Sequence, residues 1–135
     1  MTHLLDTSAL LAHYFAEAGA VEVQALFEDE SFSIGTSILA LFEFDLRLHQ
    51  LGLDSSIRGA ELARYRSLLD EIAMVDEDVR GEAIKLRIAA STRIASMDVL
   101  IAASASLRSV TLVHRDPHFG AIPMSVLRQM ILPEK

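Results

Sequence analysis

Residues 2–11 read THLLDTSALL, and this stretch indicates the class of fold. A short apolar run ends in the carboxylate of Asp6, and hydroxyl residues then open an apolar segment with the character of a helix start. In open α/β sheets, binding sites form just outside the carboxyl ends of the strands. Asp6 therefore marks a candidate site if carboxylates from distant parts of the chain converge on it.

The alternation of short apolar runs with helical periodicity continues along the chain. After a first strand around Leu4 and Leu5, strands are predicted at residues 31–35, 72–75 and 110–113, with an edge strand at 130–132. Helices are predicted at 8–15, 21–27, 37–52, 55–69, 76–90 and 96–107. Such alternation predicts an α/β fold with helices on both faces of a mainly parallel sheet of about five strands. Without a repeat or linker, residues 1–135 are expected to form a single domain.

The amino-acid composition excludes several kinds of functional site and predicts where the protein resides. Apolar residues make up 51% of the chain, so a substantial core is expected. The sequence has no cysteine, which excludes disulfides, thiolate zinc sites and cysteine nucleophiles. No N-terminal segment resembles a signal peptide, and no window approaches the roughly 20 apolar residues of a membrane span. We therefore expect a cytoplasmic protein with no membrane segment.

The formal net charge of −7 argues against a protein that coats nucleic acid by bulk charge. The distribution is uneven, because residues 1–79 carry 4 Arg against 15 Asp and Glu, whereas residues 80–135 carry 8 Arg and Lys against 4 acids. Arg outnumbers Lys by 10 to 2, and the planar guanidinium of Arg is better suited to bind phosphate or carboxylate with two hydrogen bonds. A solvated surface with ordinary helical ion pairs is the alternative interpretation.

Four acids are candidates for one site, and each also has a structural explanation. Asp6 and Asp116 follow strands and Asp98 opens a helix, so each could simply favour a helix N-terminus. Glu43 lies mid-helix and could pair with Arg47. Together, however, the four could reach a common crevice at the carboxyl edge of the sheet. Converging carboxylates without cysteine favour a hard metal ion such as Mg²⁺ or Mn²⁺.

At these residues the chain resembles the PIN-domain family, and in particular the VapC-type toxins of type II toxin–antitoxin pairs. The third of four segments, with the pattern Asp-x-Leu-Ile-Ala-Ala-x-Ala, is the most specific. The four segments are residues 6–11 (DTSALL), 37–44 (SILALFEF), 98–105 (DVLIAASA) and 112–119 (LVHRDPHF). Their order and spacing fit the family over essentially the whole chain.

The resemblance implies a PIN-like three-layer α/β/α fold and a metal-dependent endoribonuclease. It implies that Asp6, Glu43, Asp98 and Asp116 hold Mg²⁺ or Mn²⁺, which activates a water for hydrolysis of RNA phosphodiester bonds. It implies that Ser8 does not bind the metal itself but orients Asp6 or that water. It also implies a small antitoxin as partner, with a tail in a groove beside the site, and a homodimer.

Four further residues near the acids are candidates for contacts. Arg93 and Arg115 are candidate contacts to RNA or phosphate, or they neutralise the carboxylates. His114 and His118 depart from the family pattern, which often has Thr or Ser at the first position and an acid at the second. Either could contact phosphate or metal, and ordinary loop histidines are the alternative. Neither is assigned as a metal ligand.

Three alternative functions stay open at this point. A PIN nuclease could process RNA without an antitoxin, and a catalytically silent PIN module could bind a protein partner. A phosphatase-like or receiver α/β domain also uses Asp and Mg²⁺. The haloacid-dehalogenase type needs a second Asp where Ser8 stands, and a receiver needs an adjacent acidic pair on its first strand. The sequence has neither feature, which disfavours both.

Overall fold

The computed structural model describes residues 1–134, and within them lie a five-stranded sheet, six α-helices and a short 3₁₀-helix. In chain order these are β1 (His3–Leu5), α1 (Thr7–Tyr14), α2 (Ala20–Glu28), β2 (Ile34–Ser37), α3 (Ile38–Gln50), α4 (Ser55–Leu68), β3 (Glu71–Ala73), α5 (Glu77–Ala89), α6 (Ser96–Leu107), β4 (Thr111–His114), the 3₁₀-helix (Pro117–Ala121) and β5 (Gln129–Ile131). No helix in this part of the chain is both long enough and apolar enough to span a bilayer.

The sheet is parallel throughout, with strand order β3-β2-β1-β4-β5. Leu4 at its centre pairs with Gly35 on one side and with Leu112 on the other. Leu4 and Leu112 are fully buried, as is typical of parallel strands covered by helices on both faces. The predicted three-layer α/β/α fold with a five-stranded parallel sheet is confirmed.

The strand order places a crevice beside β1. From β1 the chain moves through β2 to β3 on one side, and it returns to place β4 and β5 on the other side. The carboxyl ends of β1 and β4 therefore flank the point where the direction of winding reverses, which is the usual ligand position in open α/β sheets. The backbone N–H of Asp6 donates to Val113 O at 3.0 Å, so Asp6 lies directly beside the end of β4.

The strands after β1 have other bounds than predicted, and β4 and β5 are each displaced by one residue. The prediction of a strand at 31–35 is shifted, because Asp29 closes a turn first: its Oδ1 accepts hydrogen bonds from the backbone N–H and the hydroxyl of Ser31. β2 therefore begins at Ile34. The strand predicted at 72–75 is Glu71–Ala73, whose register follows β2 for three residues.

Candidate functional site

Asp6 directly follows the central strand β1 and caps helix α1. Its Oδ1 accepts hydrogen bonds from the Ala9 backbone N–H at 2.8 Å and from the Ser8 hydroxyl at 2.7 Å. The sequence predicts a helix that begins at residue 8, whereas the helix begins at Thr7 and its N-cap is Asp6. The Asp6 side chain is only 3% exposed, and no ion pair joins it to a cation within residues 1–134. It is a buried carboxylate among hydrogen-bond donors without an opposite charge.

The pKa of Asp6 departs from that of an ordinary helix cap. Burial, together with smaller contributions from the charges of Asp116 and Asp98, raises its pKa from 3.8 to about 7. The hydrogen bonds from Ser8 and Ala9 lower the pKa but do not compensate. Capping bonds normally stabilise the charged form and depress a carboxyl pKa. Capping alone therefore does not account for a carboxylate buried beside two others.

Asp98 and Asp116 come from the other half of the chain. Asp98 lies in the first turn of α6, and its pKa rises to about 6, chiefly through burial and then through repulsion by Asp116 and Glu43. Asp116 follows β4 and caps the 3₁₀-helix, where its Oδ1 accepts the backbone N–H of His118 at 2.9 Å. The same oxygen lies 2.9 Å from His118 Nδ1. The electrostatic coupling shows that these acids face one region.

Glu43 reaches this region from α3. The Thr7 hydroxyl, next to Asp6 in sequence, donates to Glu43 Oε1 at 2.5 Å. The alternative pair of Glu43 with Arg47 is not among the ion pairs formed within residues 1–134. Glu43 is half-buried and adds its charge to that of Asp98. Sequence reasoning missed Thr7, although its position between Asp6 and Ser8 was a signal for it.

The acids are coupled electrostatically, Asp6 to Asp98 and Asp116, and Asp98 to Glu43, but they do not form a closed ligand set. Within the described residues, no group of three or more His, Asp or Glu side chains is arranged to hold a metal ion. At least three of the acids are instead held by local donors, namely Ser8 and Ala9, Thr7, and the His118 backbone. The region thus offers oxygen donors and an excess of negative charge, which suit a hard divalent cation, without a ready-made ligand set.

Ser8 and Arg115 tie the two strand ends together. The Ser8 hydroxyl donates to Asp6 and accepts the backbone N–H of Arg115 at 2.8 Å. The Arg115 guanidinium donates to Ala18 O at 2.9 Å and to Glu17 Oε1 at 3.2 Å. A cavity of about 480 Å³ lies beside this link, lined by Ser8, Arg115, Asp116, Pro117 and Glu134. Arg115 therefore pins the α1–α2 turn beside the site, and its contact with RNA stays a prediction.

The remaining candidates have different surroundings. Arg93 is exposed between α5 and α6, and its contact with RNA also stays a prediction. His118 is exposed near Asp98 and Asp116. His114 is neither a loop residue nor a contact for phosphate or metal: it ends β4, is 1% exposed, and has both ring nitrogens in hydrogen bonds within the protein. Burial lowers its pKa. Its partner Gln129 carried no signal in the sequence.

Comparison with known proteins adds a family and a set of structural relatives. The family model described as PIN domain matches residues 3–123. VapBC2 from Rickettsia felis, bound to a promoter DNA fragment, superposes with a TM-score of 0.78 at 21% identity over 98% of this chain and 100% of that one. VapBC-5 from Mycobacterium tuberculosis gives 0.65 at 27% identity over 96% and 98%.

A third relative carries a function in its description. Mycobacterium tuberculosis VapC20, described as a sarcin-ricin loop cleaving toxin, gives a TM-score of 0.68 at 16% identity over 89% of this chain and 94% of that one. No curated protein matches this sequence significantly. The likenesses below 25% identity bear on the fold alone.

Proposed function

The chain belongs to the PIN-domain family, and from that premise we propose that it is a divalent-metal-dependent endoribonuclease, the toxin of a VapBC-type toxin–antitoxin pair. The observation that carries the proposal is Asp6, a carboxylate only 3% exposed, with a pKa raised to about 7 and two further carboxylates beside it. An arrangement that opposes its own ionisation is expected where a cation is to be bound.

The proposed metal ligands are Asp6, Glu43, Asp98 and Asp116. All four offer oxygen atoms, and the chain has no cysteine, so Mg²⁺ or Mn²⁺ is the expected ion. When bound, such an ion supplies a nucleophilic water at neutral pH and stabilises charge on a phosphoryl group. The carboxylates have to approach one another around the ion, and the repulsion that raises the pKa values of Asp6 and Asp98 is then relieved.

Other residues of the chain hold these acids in place. Ser8 keeps Asp6 Oδ1 fixed and at the same time binds the backbone beside Asp116, so it sets the distance between two proposed ligands. Thr7 holds Glu43 through the hydrogen bond from its hydroxyl to Oε1. Arg93 is the candidate to bind an RNA phosphate at the rim, since its charge is exposed.

The antitoxin is proposed to occupy a groove next to the acids. This cavity of about 320 Å³ is lined by Leu11, Phe15, Glu17, Arg47, Leu51 and Arg115. A lining of apolar side chains together with charges of both signs suits an amphipathic segment. Complexes from Rickettsia felis and Klebsiella pneumoniae, described as VapBC and toxin–antitoxin assemblies, have the same fold and support this partner. A homodimer and a cytoplasmic location complete the proposal.

Cleavage of total RNA by the purified protein tests the proposal. We expect defined cuts, mapped by sequencing of cleavage ends, that need Mg²⁺ or Mn²⁺ and that Asp6→Asn or Asp98→Asn abolishes. The matched control is Asp54→Asn, because Asp54 caps α4 through the Ile57 N–H just as Asp6 caps α1, but beyond the far end of α3. Equal cleavage in EDTA, or equal loss in the control, refutes the metal mechanism.

A further inference from the structure

His114 is not one of the proposed metal ligands, yet it is buried and forms hydrogen bonds through both ring nitrogens. It lies at the end of β4, two residues before Asp116, with 1% exposure. Its Nδ1 lies 3.1 Å from the backbone nitrogen of Asp116, and its Nε2 lies 2.8 Å from Gln129 Oε1.

The partners determine the tautomer of the ring. A backbone N–H can only donate, so Nδ1 of His114 accepts from Asp116 and carries no proton. The proton is then on Nε2, which donates to Gln129 Oε1. The Gln129 amide nitrogen donates in turn to Phe119 O at 3.3 Å and Ile122 O at 3.0 Å. Every polar atom in this chain of bonds has a partner, so the ring has one orientation.

This orientation fixes the peptide that carries Asp116. The preceding N–H, that of Arg115, is held by the Ser8 hydroxyl, which also holds Asp6. The next residue, Pro117, has no N–H. The two donors of this turn are therefore bound by Ser8 and His114. A displaced Asp116 backbone would alter the distance between the Asp116 and Asp6 carboxylates.

We propose that His114 is a positioning residue, which accepts the Asp116 N–H at Nδ1 and so sets the place of the Asp116 carboxylate relative to Asp6. The inference rests on the proposed function, because it assigns His114 to the geometry of the same metal site. This role needs neither a charged imidazole nor contact of His114 with metal or RNA.

Two substitutions distinguish the hydrogen bond at Nδ1 of His114 from the one at Nε2. In His114→Asn the side-chain oxygen can take the place of Nδ1 and accept the Asp116 N–H, while the bond to Gln129 is lost. In His114→Gln the amide can reach Gln129, while the Asp116 N–H loses its acceptor. Both variants lose the ring contact with Phe119, whose centroid lies 4.7 Å away, so they are matched for lost packing. Their unfolding temperatures are expected to be similar.

The readouts are hydrogen exchange of the Asp116 amide in metal-free protein and Mn²⁺ affinity by calorimetry. We expect His114→Gln to speed exchange at Asp116 and to weaken Mn²⁺ binding about tenfold or more relative to His114→Asn, the usual size of effect for groups that orient ligands. Equal exchange and equal affinity in the two variants overturn the inference and leave a purely structural histidine. If wild-type protein neither binds Mn²⁺ nor cleaves RNA, the proposed function fails, and exchange at Asp116 alone decides for or against the role of His114.

Discussion

Replacing Asp6 by Asn is expected to stabilise the metal-free protein at neutral pH, although it abolishes the proposed activity. The pKa of Asp6 is about 7 in the folded chain against 3.8 for the ordinary group. Below pH 3.8 the carboxyl is protonated in both the folded and the unfolded state, so it contributes nothing. Between about pH 4 and 7 the unfolded state loses the proton and the folded state keeps it, so stability falls as pH rises. Above pH 7 the destabilisation is complete.

The size of this effect follows from the two pKa values. At about 1.4 kcal/mol per pH unit, ionised Asp6 destabilises the folded state by up to about 4 kcal/mol. Both hydrogen bonds of Asp6 end on Oδ1, so the side-chain oxygen of Asn can accept them and little else changes. In a chain of this size the gain corresponds to about 15 °C in Tm near pH 8 and close to none near pH 4.

Urea unfolding of wild type and Asp6→Asn in EDTA, from pH 4 to 8, measures the difference in unfolding free energy. Asp54→Asn is the control for the loss of a capping carboxylate, since Asp54 caps α4 from an exposed position. Mn²⁺ at pH 8 should stabilise wild type by about 2.7 kcal/mol at a hundred times its Kd, and leave Asp6→Asn unchanged. A difference between wild type and Asp6→Asn that is independent of pH, or that shrinks as pH rises, would show that ionised Asp6 does not destabilise the folded state.

Three further predictions concern other parts of the fold. Asp98→Asn should weaken the fall in stability between about pH 4 and 6, because the pKa of Asp98 rises to about 6; an unchanged slope in the urea series contradicts this. Gly35→Ala should lower unfolding free energy by about 1–3 kcal/mol, since its Cβ would lie 2.8 Å from Glu71 O, and an unaltered urea midpoint contradicts it. Arg115→Ala should speed amide exchange in the α1–α2 turn, because Ala18 O loses its hydrogen bond from the guanidinium. Unchanged protection of these amides would show that Arg115 does not hold the turn.

Much of the fold could be predicted because buried parallel strands are apolar runs with clear ends. Leu4 and Leu112 lie in such runs, and the acids that follow them were visible as interruptions. The bounds of β2 were less accessible, since residues 31–33 resemble a strand and only the hydrogen bonds to Asp29 show a turn. Local competition of this kind depends on side-chain geometry that spacing does not reveal.

The surroundings of the candidate site were harder to predict than its acids. His114 resembles a loop histidine beside an Arg-Asp pair, and its burial depends on Gln129, fifteen residues on. Arg115 resembles an RNA contact, yet its guanidinium binds a turn almost a hundred residues earlier in the chain. Both assignments depend on contacts that the sheet order creates, and neither has a local pattern.

Anomalous scattering from crystals soaked in Mn²⁺ would show whether Asp6, Glu43, Asp98 and Asp116 hold one divalent metal ion. We expect an anomalous peak between the carboxyl ends of β1 and β4, within about 2–2.6 Å of carboxylate oxygens or of waters bound to them. The peak should be absent in crystals of Asp6→Asn. Well-ordered wild-type crystals with no peak there, or an equal peak in the variant, would rule out a metal site formed by these four acids.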